Sequence, residues 1–187
     1  MITGGPSTGK TSVIQQLEKE GYTCLHEVIR SMTLEEKTQG EKIEMVTNPI
    51  VSVADPHKFN TAILKARMAQ YNTAESSASH YVFLDRGIPD ILAYMDCFRQ
   101  TYTVQFTGPC ETMRYDHVFL MPPWKEIYTN DTTRFENFEE SLRIHECLEQ
   151  AYRNFSYSVV SIPKGSIRER VDFILGHLKA TNGKRAN

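Results

Sequence analysis

The chain has 187 residues and a formal net charge of −2, with a sequence pI near 6.3. That length suits a single domain, residues 1–187, with a full core, and the near balance of charge argues against a general electrostatic grip on nucleic acid. No run approaches the ~18 apolar residues of a membrane span, and no signal peptide is visible before the first motif, so a cytoplasmic protein is expected. Cys24, Cys97, Cys110 and Cys147 are scattered without a C-x-x-C pair and read as reduced thiols. His26-Glu27-Val28-Ile29-Arg30 begins like H-E-x-x-H but ends in Arg, and His145-Glu146-Cys147-Leu148-Glu149 fails at the same place, so the histidines form no zinc pattern.

In chain order, strands alternate with helices, which implies a parallel sheet covered on both faces. Strand 1 is expected over Met1–Thr3 and helix 1 over Lys10–Glu20, with Val13, Ile14 and Leu17 on one face and Gly21 as its C-cap glycine. Strand 2 follows at Tyr22–His26, then a helix over Glu27–Lys37 ended near Gly40. Residues Glu41–Pro56 read as a loop or a short irregular helix. A helix over His57–Glu75 carries Phe59, Ile63, Ala66 and Ala69 or Gln70 on one side. Strand 3 is Tyr81–Asp85, followed by a helix over Asp90–Gln100 and a polar connection around Thr107-Gly108-Pro109. Strand 4 is His117–Met121, stopped by Pro122-Pro123. A lid is expected at about 124–136, then a helix over Glu136–Phe155 burying Phe138, Leu142, His145, Leu148, Tyr152 and Phe155. Strand 5 is Ser158–Ile162, and the last helix, Ser166–Lys179, starts with a Ser166…Glu169 capping box and buries Ile167, Val171, Ile174, Leu175 and Leu178. Only three residues precede Gly4, so either the native polypeptide begins upstream of Met1 or the central strand is short against the usual ~5–6 residues.

The strongest motif is Gly4-Gly5-Pro6-Ser7-Thr8-Gly9-Lys10-Thr11, which satisfies G-x-x-x-x-G-K-[ST]. Its glycines let backbone N–H groups turn inward around phosphate oxygens, and the helix beginning near Gly9 aims its positive end at the same anion. Gly4 through Ser12 are the expected nucleotide-binding residues, with Lys10 on the β/γ phosphates and the Thr11 hydroxyl on Mg²⁺.

Val82-Phe83-Leu84-Asp85-Arg86-Gly87 is the second signal: an apolar strand ending in a carboxylate that can hold Mg²⁺ through water. Asp85 shares with Gly4 the carboxyl edge of the strands, where ligands bind in open α/β sheets. The alternative is an Asp that caps a strand-to-helix turn. Arg86 either binds a phosphate or acceptor or braces Asp85. Glu27, after strand 2, is placed to take a proton from an acceptor hydroxyl, or else serves as a first-turn acid on the helix dipole. Arg30, one turn on, either binds substrate or pairs with Glu27. The polar segment Tyr128–Arg134 offers Arg134, and after it Arg143, as a cation for the transferring phosphoryl, with a surface salt bridge as the alternative for each. Trp124, the single tryptophan, either lines the acceptor pocket or anchors the loop.

These blocks, with Asp131 and Arg134 before a helix ending Ala151-Tyr152-Arg153, with Val159–Pro163, and with Gly165-Ser166…Glu169-Arg170-Val171, resemble the predicted-ATPase P-loop family related to the nicotinamide-riboside kinase domain of bifunctional NAD-biosynthesis proteins. Asp85-Arg86 is also similar to the Asp-Arg or Glu-Arg pair of thymidylate and deoxynucleoside kinases. The resemblance implies a P-loop NTPase fold, a three-layer α/β/α sandwich with a parallel five-stranded sheet in the order 2-3-1-4-5. It implies Mg-ATP as donor and a small hydroxyl or phosphate acceptor, with Lys10 and Thr11 in the P-loop roles, Asp85 as the strand-3 carboxylate and Arg134 as a lid arginine. Glu27 matches the acceptor-side carboxylate of nucleoside kinases only approximately, and the Glu41–Pro56 insert matches no substrate motif.

The leading expectation is a Mg-ATP-dependent phosphotransferase acting on a nucleoside-like acceptor such as nicotinamide riboside, with catalytic residues Lys10, Asp85, Glu27 and Arg134 and substrate contacts from Glu27, Arg30 and Arg86. The alternative is a slow ATPase whose bound nucleotide controls a protein partner. A classical GTPase is disfavoured by the missing N-K-x-D motif, and a ring ATPase by the missing second helical domain. A nucleoside-monophosphate kinase would need Arg30, Arg67 and Arg86 to converge on an acceptor phosphate.

Overall fold

The computed structural model describes residues 1–29, 55–128 and 137–185, with side chains described as far as Thr181. Among these the elements are β1 (Ile2–Gly4), α1 (Lys10–Lys19), β2 (Thr23–Leu25), α2 (Pro56–Glu75), β3 (Val82–Leu84), α3 (Pro89–Cys97), α4 (Val104–Thr112), β4 (Val118–Met121), a 3₁₀ turn (Lys125–Ile127), α5 (Phe138–Asn154), β5 (Val159–Ser161) and α6 (Ile167–Arg185). The helix expected over Glu27–Lys37 and the insert up to residue 54 lie mostly outside the described residues, as do lid residues 129–136.

The strands are all parallel. β1 pairs with β4 and β4 with β5, placing Ile2 opposite Phe119 and Phe119 opposite Val160. β2 pairs with β3, placing Leu25 opposite Leu84. The two sheets meet at one parallel bridge between Ile2 and Asp85, where the Arg86 amide donates to the Ile2 carbonyl at 2.9 Å.

Side-chain alternation along β4 shows that both faces are covered. Phe119 and Met121 pack with Ile2 and Phe83 against Val13, Ile14 and Leu17 of α1 and Val171, Ile174 and Leu178 of α6. Leu120 points the other way, into Ala93 and Cys97 of α3 and Ile144, Leu148 and Ala151 of α5.

Several helices differ from expectation in informative ways. The region around Thr107-Gly108-Pro109 is not a loop but α4, with Pro109 inside it. Proline removes a backbone donor and is disfavoured there, yet burial of Phe106 and Cys110, four residues apart, holds the helix against the core. The buried face of α5 is Ser141, Ile144, Leu148, Ala151 and Tyr152, while Leu142, expected inside, is 42 % exposed. The face of α2 is Asn60, Ile63, Leu64 and Arg67, rotated from the apolar stripe read in sequence so that an arginine points inward. Helix α6 starts with the expected capping box, the Ser166 amide donating to Glu169 Oε2 at 2.7 Å and the Glu169 amide to Ser166 Oγ at 3.2 Å. It buries Val171, Ile174 and Leu178 but leaves Ile167 exposed, and it extends past Lys179.

Candidate active site

The loop between β1 and α1 contains two residues in the left-handed region, Ser7 at φ 57 and Gly9 at φ 80. Left-handed backbone among right-handed neighbours turns successive amides to one side and forms an anion-binding concavity. Gly9 is the N-cap of α1, supplies no side-chain oxygen to the first turn, and no acidic residue follows it there. The amides of that turn and the positive end of the helix are thus presented to an approaching anion. The loop is pinned from both sides: Thr8 Oγ1 donates to the Gly5 carbonyl at 3.0 Å, and Arg170 Nη1 from α6 donates to the Thr8 carbonyl at 3.0 Å.

Lys10, the first residue of α1, donates to Asp85 Oδ1 at the end of β3. Both side chains are buried. Burial, then the neighbouring Arg86, lowers the Lys10 pKa, against the attraction of Asp85 and Glu27. Asp85 Oδ2 has no partner among the described residues.

Beside this pair is a buried network at the same strand ends. Arg86 adopts φ 75, a left-handed conformation costly for a non-glycine residue. Its Nε pairs with Glu27 Oε2 and its Nη1 with Asp90 Oδ1 at 3.0 Å. Arg67, from the middle of α2, donates through Nη2 to Glu27 Oε1 at 3.1 Å and through Nη1 to the Gly87 carbonyl at 2.9 Å. Asp90 Oδ1 also accepts from Thr3 Oγ1 at 2.5 Å, and Asp90 Oδ2 from the Gly87 amide at 2.9 Å and the Tyr152 hydroxyl at 2.5 Å. Burial alone would raise the Asp90 pKa, but Arg67 and Arg86, with the bonds from Thr3 and Tyr152, hold it below the ordinary carboxylate range. Burial likewise opposes the charge on Arg86, while Tyr94, Glu27 and Asp90 raise its pKa well above the ordinary value.

The two carboxylates differ in capacity. A carboxylate offers about four acceptor sites. Asp90 has four donors and is saturated, whereas Glu27 has two among the described residues. Glu27 can still accept a hydroxyl; Asp90 holds the site together.

Of the residues singled out in sequence, the structure brings Lys10, Asp85, Glu27 and Arg86 to one edge, with Gly4–Ser12 beside them, and Arg67 converges with Arg86 on Glu27. Arg30 and Arg134 lie outside the described residues. Arg143 is on the exposed surface of α5, paired with Glu140 at 3.4 Å. Trp124 lies under the Arg170 guanidinium, 5.7 Å from ring centroid to Cζ. Asp90, Thr3, Tyr152 and Arg170 were not expected at the site. A cleft of about 460 Å³ lined by Arg114, Tyr157 and His177 lies at the other ends of β4 and β5, away from this chemistry. Among the described residues no helix is long and apolar enough to cross a membrane.

Residues 1–170 match the AAA_28 family, an AAA domain, and the chain belongs to that family. Comparison with curated proteins found no match. The fold is similar to deoxyadenosine kinase from M. mycoides solved with dCMP and dCDP, at 13% identity over 96% of this chain and 100% of that one, with a TM-score of 0.64. It is similar to thymidylate kinase from Candida albicans, at 13% identity over 97% of this chain and 90% of that one, with a TM-score of 0.69. The NadR protein in complex with NR is 21% identical over 88% of this chain but only 45% of its own length, with a TM-score of 0.56. The expected P-loop kinase-like α/β fold is therefore present; identities of this order speak to the fold alone.

Proposed function

We propose that the chain is a single-domain phosphotransferase that moves the γ-phosphoryl of Mg-ATP to a small hydroxyl-bearing acceptor, with a nucleoside-like acceptor as the leading choice. The observation that carries this reading is that the Lys10–Asp85 pair, behind the phosphate loop, adjoins the Glu27–Arg67–Arg86 array at the same strand edge. A donor site and a polar acceptor site side by side are what in-line phosphoryl transfer requires. The Ile2–Asp85 bridge supports reading the two sheets as one, in the order 2-3-1-4-5.

In this reading the amides of Gly4–Ser12 cradle the phosphates. Lys10 exchanges Asp85 for a phosphate oxygen as nucleotide enters. Mg²⁺ typically takes one or two protein oxygens beside substrate phosphates. Asp85, with one oxygen paired and the other open among the described residues, fits that use, and Thr11 follows Lys10 in the motif. Thr11 and Asp85 would hold the ion, which would supply further neutralisation of phosphate charge. Glu27 orients the acceptor hydroxyl and receives its proton, while Arg67 and Arg86 fix Glu27. Arg30 and Arg134 complete the proposal as an acceptor contact and a lid cation.

The test is a thermal-shift screen against a Mg-ATP analogue, repeated with nucleosides and nucleotide-like acceptors. A ligand that binds only the native state at a hundredfold excess over its dissociation constant stabilises by about 2.7 kcal/mol. A shift with nucleotide and a further shift with one acceptor supports the kinase. A nucleotide shift that no acceptor alters, with slow and acceptor-independent hydrolysis, replaces it with a regulatory ATPase.

A further inference from the structure

Arg170 is a buried guanidinium, 5 % exposed, on the first turn of α6. The other deeply buried arginine among the described residues, Arg67, pairs with Glu27, and Arg86, with its side chain 12 % exposed, pairs with Glu27 and Asp90. Arg170 pairs with no carboxylate among the described residues. Its bonds run to backbone carbonyls, Nη1 to Thr8 at 3.0 Å and Nε to Ser166 at 3.4 Å, and its charge rests on the Trp124 ring. The carboxylate beside it in sequence, Glu169, is turned back onto Ser166. Desolvation, with no acid among the described residues to oppose it, lowers the Arg170 pKa. A cation taken out of water without a counter-charge costs free energy that carbonyl dipoles offset only in part.

Its location gives that charge a use. A Cβ added to Gly9 would stand 2.7 Å from Arg170 Nη1 and 3.1 Å from Nη2, so the guanidinium occupies the face of the phosphate loop where a side chain would project. The charge therefore sits one residue from Lys10. On its other side is Trp124, which follows Pro122-Pro123 after β4 and begins the 3₁₀ turn at the root of the expected lid.

We propose that Arg170 is a positioning residue whose counter-charge, absent among the described residues, is the nucleotide: it holds Thr8 and Gly9 in their anion-receiving shape and is neutralised when a polyphosphate fills the loop. This rests on the nucleotide-binding reading above.

The experiment compares wild type with Arg170→Gln, which keeps a donor for the Thr8 carbonyl but removes the charge, and Arg170→Lys, which keeps the charge. Calorimetry measures the affinity for adenosine 5′-(β,γ-imido)triphosphate with Mg²⁺ and for inorganic tripolyphosphate; melting curves measure ligand-free stability. Arg170→Gln is expected to bind both ligands about tenfold or more weakly, as loss of one close, poorly screened charge implies, while its ligand-free melting temperature is no lower than wild type. Arg170→Lys is expected to recover most of the affinity. The proposal is overturned if Arg170→Gln binds within about threefold of wild type, or if it unfolds or melts well below wild type without ligand, since the residue is then a structural brace. It is also overturned if Arg170→Lys folds normally yet binds no better than Arg170→Gln. A wild type that binds neither ligand sinks the nucleotide-binding reading itself, an outcome separate from these.

Discussion

Lys10 and Asp85, 75 residues apart in sequence, close a buried ion pair across the end of the sheet, with the Lys10 ammonium donating to Asp85 Oδ1. The parallel bridge between Ile2 and Asp85 puts the carboxylate at the mouth of the phosphate loop, so the pair follows from strand register as much as from side-chain chemistry. In the ligand-free protein each partner offsets the other's desolvation. A phosphate entering the loop competes with Asp85 for the ammonium.

This competition makes Asp85→Asn informative. Removing the carboxylate frees Lys10 for phosphate, so affinity for ATP in EDTA is expected to hold or rise. Phosphoryl transfer with Mg²⁺ is expected to fall about a hundredfold or more, the scale on which lost electrostatic support in a transition state is felt. Titration calorimetry without metal and steady-state transfer with it give the two halves. Turnover left intact would remove Asp85 from the site.

The two neighbouring carboxylates should separate in the same assays. Glu27→Gln is expected to lower turnover and, because it also weakens buried pairs with Arg67 and Arg86, to cost some stability, but less than Asp90→Asn, since the amide oxygen still accepts from one of its two donors. Asp90→Asn replaces a saturated acceptor with a group that turns an N–H toward donors from Thr3, Arg86, Gly87 and Tyr152. Breaking a buried charge pair from one side costs about 3–5 kcal/mol, and urea unfolding should show a loss of that order. Equal stability losses in the two variants would undo the distinction.

How far the site could be read from sequence follows from how its parts are arranged along the chain. The phosphate loop was legible because its geometry is set by eight consecutive residues, and Asp85 because a continuous apolar strand ends on it. The Asp90 hub was not, because Thr3, Arg86 and Tyr152 meet only after β1, β3, α3 and α5 have packed. A signal existed in Arg67, four residues after Ile63 and so on the inward face of α2, but a pattern tuned to apolar residues passes over an inward arginine. In sequence Arg170 stands out only as part of a block that resembles a known family, because its contact Thr8 lies 162 residues away. Local preference misleads where burial overrules it, as in α4 around Pro109.

Asp90 also sets a direction for pH dependence. Its folded pKa is held below the ordinary value by Arg67 and Arg86. A carboxylate depressed in the folded state contributes stability that is fully present above its unfolded pKa, about 3.9, and is lost as pH falls through the lower folded value. The stability gap between wild type and Asp90→Asn should be constant from pH 7 to about pH 5 and should narrow below about pH 4. Urea titrations at stepped pH measure it; a gap that widens toward acid would reverse the sign.

Tyr152→Phe isolates one bond of the hub, the hydroxyl that donates to Asp90 Oδ2 at 2.5 Å from a fully buried ring. Hydrogen bonds to charged groups contribute about 1.5–3 kcal/mol, and the ring's packing is preserved, so a stability loss in that range is expected. The nucleotide affinity of the variant should be unchanged, because Tyr152 reaches the site only through Asp90. A stable variant with weakened nucleotide binding would place Tyr152 in the donor site.

Gly9 is constrained twice, by φ 80 and by the Arg170 guanidinium on the face its side chain would need. A left-handed alanine alone costs roughly 1–2 kcal/mol. Gly9→Ala should cost more than that in wild type, because the methyl meets Arg170 Nη1 at 2.7 Å unless the guanidinium withdraws from Thr8. In the Arg170→Ala background the contact is gone and only the backbone cost remains. A double-mutant cycle on melting free energies is therefore expected to give a coupling of about 0.5 kcal/mol or more, as for residues in direct contact. Strict additivity would mean that the guanidinium moves aside freely, and the loop would then owe its shape to its own backbone.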